Sequence, residues 1–241
     1  MKLTVLGNNG PYPSSDGSCS GYVLERQNKL IVLDMGSGSL ANFQKRYRIE
    51  DISFIILSHL HFDHMSDMLV LRYALAIKKI KLDVYLPKNP KNISSILICD
   101  EFNLIYIDQS INIERDGFNI EFKRVTHPVE TYAIKVNDCF LYSGDLGDPN
   151  DLLDFGYEVD TLLVDSALLA AQMGKKKIFH LSALECGLLA NKLNTKRLIL
   201  SHFPPYVDKN LYLEEASIYF PNTFIAQILK EYTFQDYDML F

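Results

Sequence analysis

Short apolar runs bounded by turn residues predict most of the secondary structure in the first part of the chain. Runs between Gly- and Asn-containing turns are typical of strands and occur at Leu3–Leu6, Tyr22–Glu25 and Leu30–Leu33. The continuous apolar run Phe54–Leu57 predicts a strand that is buried on both faces. Helices are predicted over Gly38–Tyr47 and over Ser66–Lys78, the second with Ser66 or Asp67 as its N-cap.

The rest of the chain mixes hairpin segments with helix–strand segments. Further strands are predicted at Asp83–Leu86, Leu104–Ile107, Ile111–Glu114, Asn119–Val125, Thr131–Val136, Phe140–Ser143, Thr161–Val164 and Arg197–Leu200. Further helices are predicted near Asn92–Cys99, at Ser182–Leu193 and near Thr223–Tyr232. A hairpin over Asn137-Asp138 joins the strands that begin at Thr131 and Phe140. Because no repeat or linker divides the sequence, we expect one α/β domain over residues 1–241.

The composition excludes several protein classes. The 241 residues are 48% hydrophobic, which excludes disordered, collagen-like and disulfide-dense chains. A net charge of −6 argues against a broad basic surface for nucleic acid. The four cysteines are scattered, the amino terminus turns polar too early for a signal peptide, and the longest apolar stretch is too short to span a bilayer. We therefore expect a cytoplasmic protein with no membrane partner.

Four side chains that can bind metal lie within one hexapeptide, directly after the predicted buried strand. They are His59, His61, Asp63 and His64. Because residues two apart in an extended segment point the same way, His59 and His61 can bind one ion. If the chain then turns into the following helix, Asp63 and His64 would point towards the site of a second metal ion nearby. Imidazole and carboxylate suit zinc, manganese or iron. A polar surface loop is the alternative, but four ligand-type residues in six favour metal binding.

Three further candidates, His127, Asp145 and His202, each follow a predicted strand. Strand ends at one edge of a sheet are where α/β folds gather active groups. Taken singly, each has another interpretation: His127 could begin a turn with Pro128, Asp145 could cap a helix, and His202 could be a core histidine. Because all three residues follow a predicted strand, we favour metal binding over these separate interpretations.

Taken in order, these motifs resemble the metal-binding motifs of the metallo-β-lactamase superfamily over about residues 1–205. The resemblance implies an α/β fold, a four-layer αββα sandwich of two mixed β-sheets with the site along one edge. It also implies two divalent metal ions, zinc first and manganese or iron as alternatives. One ion would take His59, His61 and His127, the other Asp63, His64 and His202, and Asp145 would bridge them. Asp34 matches an early aspartate that supports the metal loop without binding metal.

His180 indicates a branch of that superfamily. The run His180-Leu181-Ser182-Ala183 resembles the ribonuclease Z-like branch, in which such a histidine protonates the departing alkoxide. The resemblance implies a phosphodiesterase in which a hydroxide shared by two metals attacks phosphorus, with Asp63 orienting it. A structural histidine at a helix start is the alternative for His180.

Two departures from ribonuclease Z narrow the predicted substrate. Between His127 and Asp145 lie 17 residues, too few for a tRNA-gripping arm, and Pro13–Ser18 contains no basic residue. We therefore expect a small anionic phosphodiester of nucleotide type; RNA stays a less favoured substrate, and tRNA 3′-end processing stays an alternative. Two further functions stay open, those of a thioester or lactone hydrolase and of a non-catalytic metal-binding protein.

Three further features, a lysine run, an aromatic residue and the carboxyl-terminal segment, each have more than one interpretation. Lys175–Lys177 could contact a substrate phosphate or form a solvated charge run. Tyr206 could stack on a base or lie in the core or in a dimer interface. The resemblance also implies a homodimer, to which the aromatic segment Tyr232–Phe241 would contribute.

Overall fold

The computed structural model describes residues 1–174 and 179–235, and within them the strands form two seven-stranded sheets. The first sheet contains, in spatial order, β14 (Glu231–Thr233), β1 (Lys2–Gly7), β2 (Gly21–Arg26), β3 (Lys29–Met35), β4 (Ile52–Ile56), β5 (Leu82–Leu86) and β6 (Phe102–Tyr106). The second contains β13 (Thr223–Ile225), β12 (Arg197–Ser201), β11 (Thr161–Asp165), β10 (Phe140–Tyr142), β9 (Tyr132–Val136), β8 (Phe118–Arg124) and β7 (Asn112–Arg115). Each sheet combines antiparallel and parallel pairs, so both are mixed.

The strands carry apolar side chains on both faces. On β3, Ile31 and Leu33 belong to the core between the two sheets, whereas Val32 belongs to the core under the helices. Successive side chains of a strand point to opposite faces, so a continuous apolar run covers both sides of a sheet. This explains why runs such as that of β3 are apolar without interruption.

Helices cover the outer face of each sheet. The helices are α1 (Ser39–Phe43), α2 (Phe62–Met65), α3 (Met68–Lys78), α4 (Lys91–Ser94), α5 (Ala183–Lys192) and α6 (Lys209–Ser217). Leu71 and Leu75 of α3 share a buried cluster with strands of the first sheet, and Leu189 of α5 and Tyr212 of α6 share one with strands of the second. The expected four-layer αββα sandwich is therefore confirmed.

The predicted final helix near Thr223–Tyr232 is wrong. That region contains β13 and β14, of which Thr223 pairs with Leu198 and Tyr232 with Leu3. Both strands complete sheet edges with partners far away in sequence, and such pairing outweighs local helical preference. The helix in this part of the chain is α6, which begins after the N-cap Asp208.

The other predicted helices are present with shifted bounds. The segment Gly38–Tyr47 contains the shorter α1, and Asn92–Cys99 contains the end of α4 followed by a 3₁₀ turn at Ser95–Leu97. Asp67 stands at the N-cap of α3, but its carboxylate accepts a hydrogen bond from Leu40 N in α1 at 2.9 Å. Among the helices described, none has the length and apolar character needed to cross a bilayer.

Candidate metal centre

The structure brings all seven predicted ligand residues together at one edge of the sandwich. The hexapeptide residues follow β4 of the first sheet, and the other three follow β8, β10 and β12 of the second. The seven are His59, His61, Asp63, His64, His127, Asp145 and His202. The cluster therefore joins loops from both sheets.

One group of ligand atoms consists of three ring nitrogens and one oxygen. His61 Nδ1 lies 3.1 Å from His59 Nε2 and 3.3 Å from His127 Nε2. Asp145 Oδ2 lies 3.5 Å from His59 Nε2 and 3.7 Å from His127 Nε2. Four ligands at about 2.0–2.1 Å from a tetrahedral zinc ion are separated from one another by roughly 3.3 Å. These four atoms are therefore spaced as ligands of one ion.

A second group shares Asp145. His64 Nε2 lies 3.1 Å from Asp145 Oδ1 and 3.7 Å from Asp63 Oδ2. His202 Nε2 lies 3.1 Å from Asp63 Oδ2 and 3.4 Å from Asp145 Oδ1. Asp145 Oδ1 and His64 Nε2 are buried, and neither has a hydrogen-bond partner among the described residues. Cation ligation would satisfy both atoms, so the donor set fits a second divalent ion.

Hydrogen bonds hold three histidine rings so that their Nε2 atoms face the cluster, whereas His61 faces it with Nδ1. His64 donates from Nδ1 to Asp34 Oδ2 at 2.7 Å, and His127 Nδ1 lies 3.2 Å from the carbonyl oxygen of Phe179. His59 Nδ1 lies 3.0 Å from Ser58 Oγ. A proton fixed on Nδ1 leaves the Nε2 lone pair free to bind metal.

Asp34 organises this arrangement from outside both ligand groups. Its carboxylate accepts hydrogen bonds from Ser58 N, Ser58 Oγ, Tyr142 OH and His64 Nδ1, each at 2.7 Å. Asp34 lies at the end of β3 with a positive φ of 57°, a conformation that non-glycine residues rarely adopt. Asp34 therefore lies outside both ligand groups, where its carboxylate holds Ser58 and His64.

Burial keeps the first group of histidines neutral. Loss of solvent lowers the pKa values of His59 and His61 and lowers that of His127 to about 4. Metal binding requires the neutral imidazole, so these three rings are in the required form at neutral pH.

The second group is dominated by its carboxylates. Burial opposes a proton on His64, but the charges of Asp145, Asp34 and Asp63 outweigh it and raise its pKa to about 10. Burial would raise the pKa of Asp145, but the nearby histidines His202, His64 and His59 hold it well below its usual range. The carboxylates thus favour positive charge at this position, from protons on histidine or from metal ions.

A buried aspartate that the sequence analysis did not single out, Asp165, lies beside both groups. Its Oδ2 accepts a hydrogen bond from His180 Nδ1 at 2.7 Å, and its Oδ1 lies 3.4 Å from His202 Nδ1. The His180 ring packs near those of His127 and His202, with centroids 5.6 and 5.2 Å apart. Asp165 directly follows the predicted strand Thr161–Val164, so the strand-end rule that selected Asp145 would also have found it.

Gly10 is a second residue that the sequence analysis missed. A Cβ atom at this position would lie 2.0 Å from His202 Nε2, so only glycine allows the chain to pass this close to the ring. The backbone N–H of Gly10 also donates to the carbonyl oxygen of Phe203 at 3.0 Å. The amino-terminal loop is thereby fixed against the second ligand group.

The remaining sequence candidates are more peripheral. Tyr206 is 75% exposed, so it is not a core residue. Lys175–Lys177 lie outside the described residues, as does the end of the segment Tyr232–Phe241, whereas Tyr232 itself is buried in β14.

Comparison with known proteins defines the class. The model of the Beta-lactamase superfamily domain matches residues 29–203, so the chain belongs to the metallo-β-lactamase superfamily. It is 25% identical to the probable metallo-hydrolase YhfI of Bacillus subtilis (strain 168), covering 91% of this chain and 94% of YhfI. It is 24% identical to ribonuclease Z of Azobacteroides pseudotrichonymphae, covering 94% of this chain and 96% of that protein.

Solved structures agree on the fold. The crystal structure of YhfI superposes with a TM-score of 0.90 at 24% identity, over 96% of this chain and 98% of YhfI. A diphosphatase from the PhnP family superposes with a TM-score of 0.75 at 18% identity, over 97% of this chain and 98% of the other. The family and the His/Asp cluster together indicate a hydrolase that binds divalent metal.

Proposed function

We propose that the chain is a dinuclear metal-dependent phosphodiesterase. The observation that carries this proposal is the position of His180 beside both ligand groups, with its Nδ1 bonded to Asp165. A phosphodiester has a poor leaving group, an alkoxide, unless a proton reaches it. A histidine held between two metal-ligand groups supplies that proton where the bond breaks.

The ligand residues divide into two sets that share one aspartate. His59, His61 and His127 would hold one ion, Asp63, His64 and His202 the other, and Asp145 would contribute one oxygen to each. Zinc suits this mixture of imidazole and carboxylate, and manganese or iron is the alternative. Such a pair of ions supplies an activated water and positive charge for the phosphate oxygens. An acidic protein thereby offers a cationic centre to an anionic substrate.

Nearby carboxylates favour the protonated form of His180 that this role needs. Burial lowers the pKa of its imidazole, but the charge and hydrogen bond of Asp165, together with the charge of Asp145, outweigh burial and raise it. Asp165 accepts from Nδ1, so Nε2 is the nitrogen left to donate a proton to the leaving oxygen. Asp63 is 8% exposed, and we assign it the second catalytic role, orienting the attacking water.

The proposed substrate is a small anionic phosphodiester. Two similar proteins, ribonuclease Z and the diphosphatase from the PhnP family, have names that denote cleavage of bonds to phosphorus. Between His127 and Asp145 the chain contains β9 and β10, which form a hairpin. That hairpin takes the place of an arm that could hold tRNA, so we favour a nucleotide-sized substrate over tRNA 3′-end processing. Two sequence-based expectations stay predictions, a cytoplasmic location and a homodimer.

One experiment separates phosphodiesterase activity from the competing functions. Protein reconstituted with zinc or manganese, and a chelated control, are assayed against methyl p-nitrophenyl phosphate, a thioester and a lactone, and bound metal is measured. We expect two ions per chain and metal-dependent turnover of the phosphodiester well above the other two. Faster thioester or lactone turnover would select that hydrolase class. Two bound ions without turnover of any substrate would indicate a non-catalytic metal-binding protein, and less than one ion per chain would refute the metal centre.

A further inference from the structure

Two exposed tyrosines lie on loops that meet at the second ligand group. Tyr12 follows Gly10 by two residues, and Tyr206 follows His202 by four. Extended chain of these lengths spans at most roughly 7 and 14 Å, so the Cα atom of Tyr12 lies within the first distance of Gly10 and that of Tyr206 within the second distance of His202. Their side chains are large apolar groups left largely in solvent, 55% and 75% exposed.

Backbone hydrogen bonds fix the two loops to each other. Gly10 N donates to the carbonyl oxygen of Phe203 at 3.0 Å, and Phe203 N donates to the carbonyl oxygen of Asn8 at 2.8 Å. The side-chain amide of Asn9 donates to the same Phe203 oxygen at 3.2 Å. Tyr12 and Tyr206 are therefore carried by one connected unit.

The backbone of Tyr206 has an unfavourable conformation. Its φ is +65°, in the left-handed region that bulky residues rarely adopt. Pro204 and Pro205 precede it, and Pro11 and Pro13 flank Tyr12, so proline restricts φ on both loops. A strained backbone that holds an exposed aromatic ring beside a reactive centre indicates a ligand contact.

We propose that Tyr12 and Tyr206 form a nucleobase-stacking rim and make the enzyme selective for phosphodiesters that carry a nucleoside. This inference rests on the proposed phosphodiesterase function. The cationic centre recognises phosphate alone, so recognition of the rest of the substrate must come from groups at its edge. Aromatic rings stack on any base, because every base presents a π face. Tyr12 and Tyr206 are two exposed rings on the loops that adjoin His202.

The test compares two substrates with the same leaving group. Thymidine 5′-p-nitrophenyl phosphate carries a nucleoside, whereas methyl p-nitrophenyl phosphate does not, and the ratio of their kcat/KM values measures recognition of the nucleoside. We expect Tyr12→Ala and Tyr206→Ala each to lower this ratio about tenfold, through KM, as loss of one stacking contact predicts. Tyr206→Phe keeps the ring and should restore the ratio.

Tyr157 provides the matched control. It is 62% exposed, and it precedes the start of β11, whereas Asp165 marks the end of β11 that faces the candidate centre. Tyr157→Ala should leave the ratio unchanged. An unchanged kcat/KM ratio in both Tyr12→Ala and Tyr206→Ala would overturn the inference. This includes the case in which kcat/KM falls equally for the two substrates, which indicates a structural effect.

Calorimetric titration with thymidine 5′-monophosphate gives a readout that needs no turnover. Tyr12→Ala and Tyr206→Ala should weaken its binding by about the same factor as they lower the kcat/KM ratio. If neither phosphodiester is hydrolysed but nucleotide binding depends on the two tyrosines, the proposed phosphodiesterase function is refuted and the proposed stacking rim is supported. If methyl p-nitrophenyl phosphate is hydrolysed but the tyrosine variants change neither the kcat/KM ratio nor the binding of thymidine 5′-monophosphate, the stacking rim is refuted and the phosphodiesterase function is supported.

Discussion

At the scale of single residues, His180 is more open to solvent than His59, His64 and His202, whereas the ligand His61 is also partly exposed. Its side chain is 27% exposed, whereas those of His59 and His64 are fully buried and that of His202 is 4% exposed. A group that gives a proton to a substrate must reach it, whereas a metal ligand is best shielded from water. The exposed fraction of His180 therefore meets the access that proton transfer to a substrate requires.

We expect His180→Ala to retain both metals and to lose turnover according to the leaving group. A nucleoside cyclic phosphate, which expels an alkoxide, should lose about 100-fold or more in kcat because the proton donor is gone. Thymidine 5′-p-nitrophenyl phosphate should lose much less, because nitrophenolate leaves without a proton. Steady-state kinetics and metal analysis measure both effects. Equal losses on the two substrates would remove His180 from proton transfer.

Gly10 gives a residue-scale prediction about the second ion. In Gly10→Ala the new methyl group would meet His202 Nε2, so the ring must move away from Asp63 and Asp145. We expect bound metal to fall from two ions to one per chain. Gly174→Ala is the control, because a Cβ there has no described atom within 4 Å. Two ions retained in Gly10→Ala would show that His202 is not held in the position described.

The sequence was most informative about residues that share a local pattern. The hexapeptide after β4 could be recognised by its density of ligand types, and His127, Asp145 and His202 by their place after strands. Gly10 could not be predicted, because its constraint is a ring that lies 192 positions away in the chain.

At the scale of elements, Asp34 is the residue through which β3, β4 and β10 meet α2. Its partners are Ser58 after β4, His64 in α2 and Tyr142 at the end of β10. Removing the carboxylate leaves these buried donors without their acceptor, and each unsatisfied group costs about 1–3 kcal/mol. The same carboxylate orients His64, so its loss should also weaken metal binding.

We expect Asp34→Ala to lower metal affinity about 10- to 100-fold, as loss of an outer-shell partner does, and to lower the free energy of unfolding by several kcal/mol. Competition with a chelator and denaturant unfolding measure the two effects. Asp154→Ala removes an aspartate whose side chain is 71% exposed and serves as the control. Unchanged metal affinity in Asp34→Ala would show that the His64 ring is oriented by other contacts.

Element prediction succeeded where a strand is buried on both faces and failed at two of the four sheet edges, those formed by β13 and β14. The apolar run Phe54–Leu57 identified β4 without help from its neighbours, since both of its faces are covered. The edge strands β13 and β14 are three residues each, too short for a recognisable alternation. β13 pairs with β12 and β14 pairs with β1, and these partners are distant in sequence. The local sequence pattern therefore carries no information about this pairing.

At the scale of the whole molecule, the candidate centre links the two sheets. The loop after β4 contributes ligands from the first sheet, and the loops after β8, β10 and β12 contribute them from the second. Ions bound by both sets would join the two halves of the sandwich. Metal binding should therefore stabilise the folded state, because the ligands are brought together only by folding.

Metal removal should lower the melting temperature. A ligand at about 1,000 times its Kd adds about 4 kcal/mol to the folded state, and each kcal/mol shifts Tm by about 2–4 °C in a chain of this size. We therefore expect zinc-loaded protein to melt about 10 °C above chelated protein by scanning calorimetry, and manganese to give a smaller shift. Asp145→Ala, which removes the aspartate shared by both groups, should melt at nearly the same temperature with and without zinc. An equal zinc-induced shift in Asp145→Ala would place the stabilising metal elsewhere in the molecule.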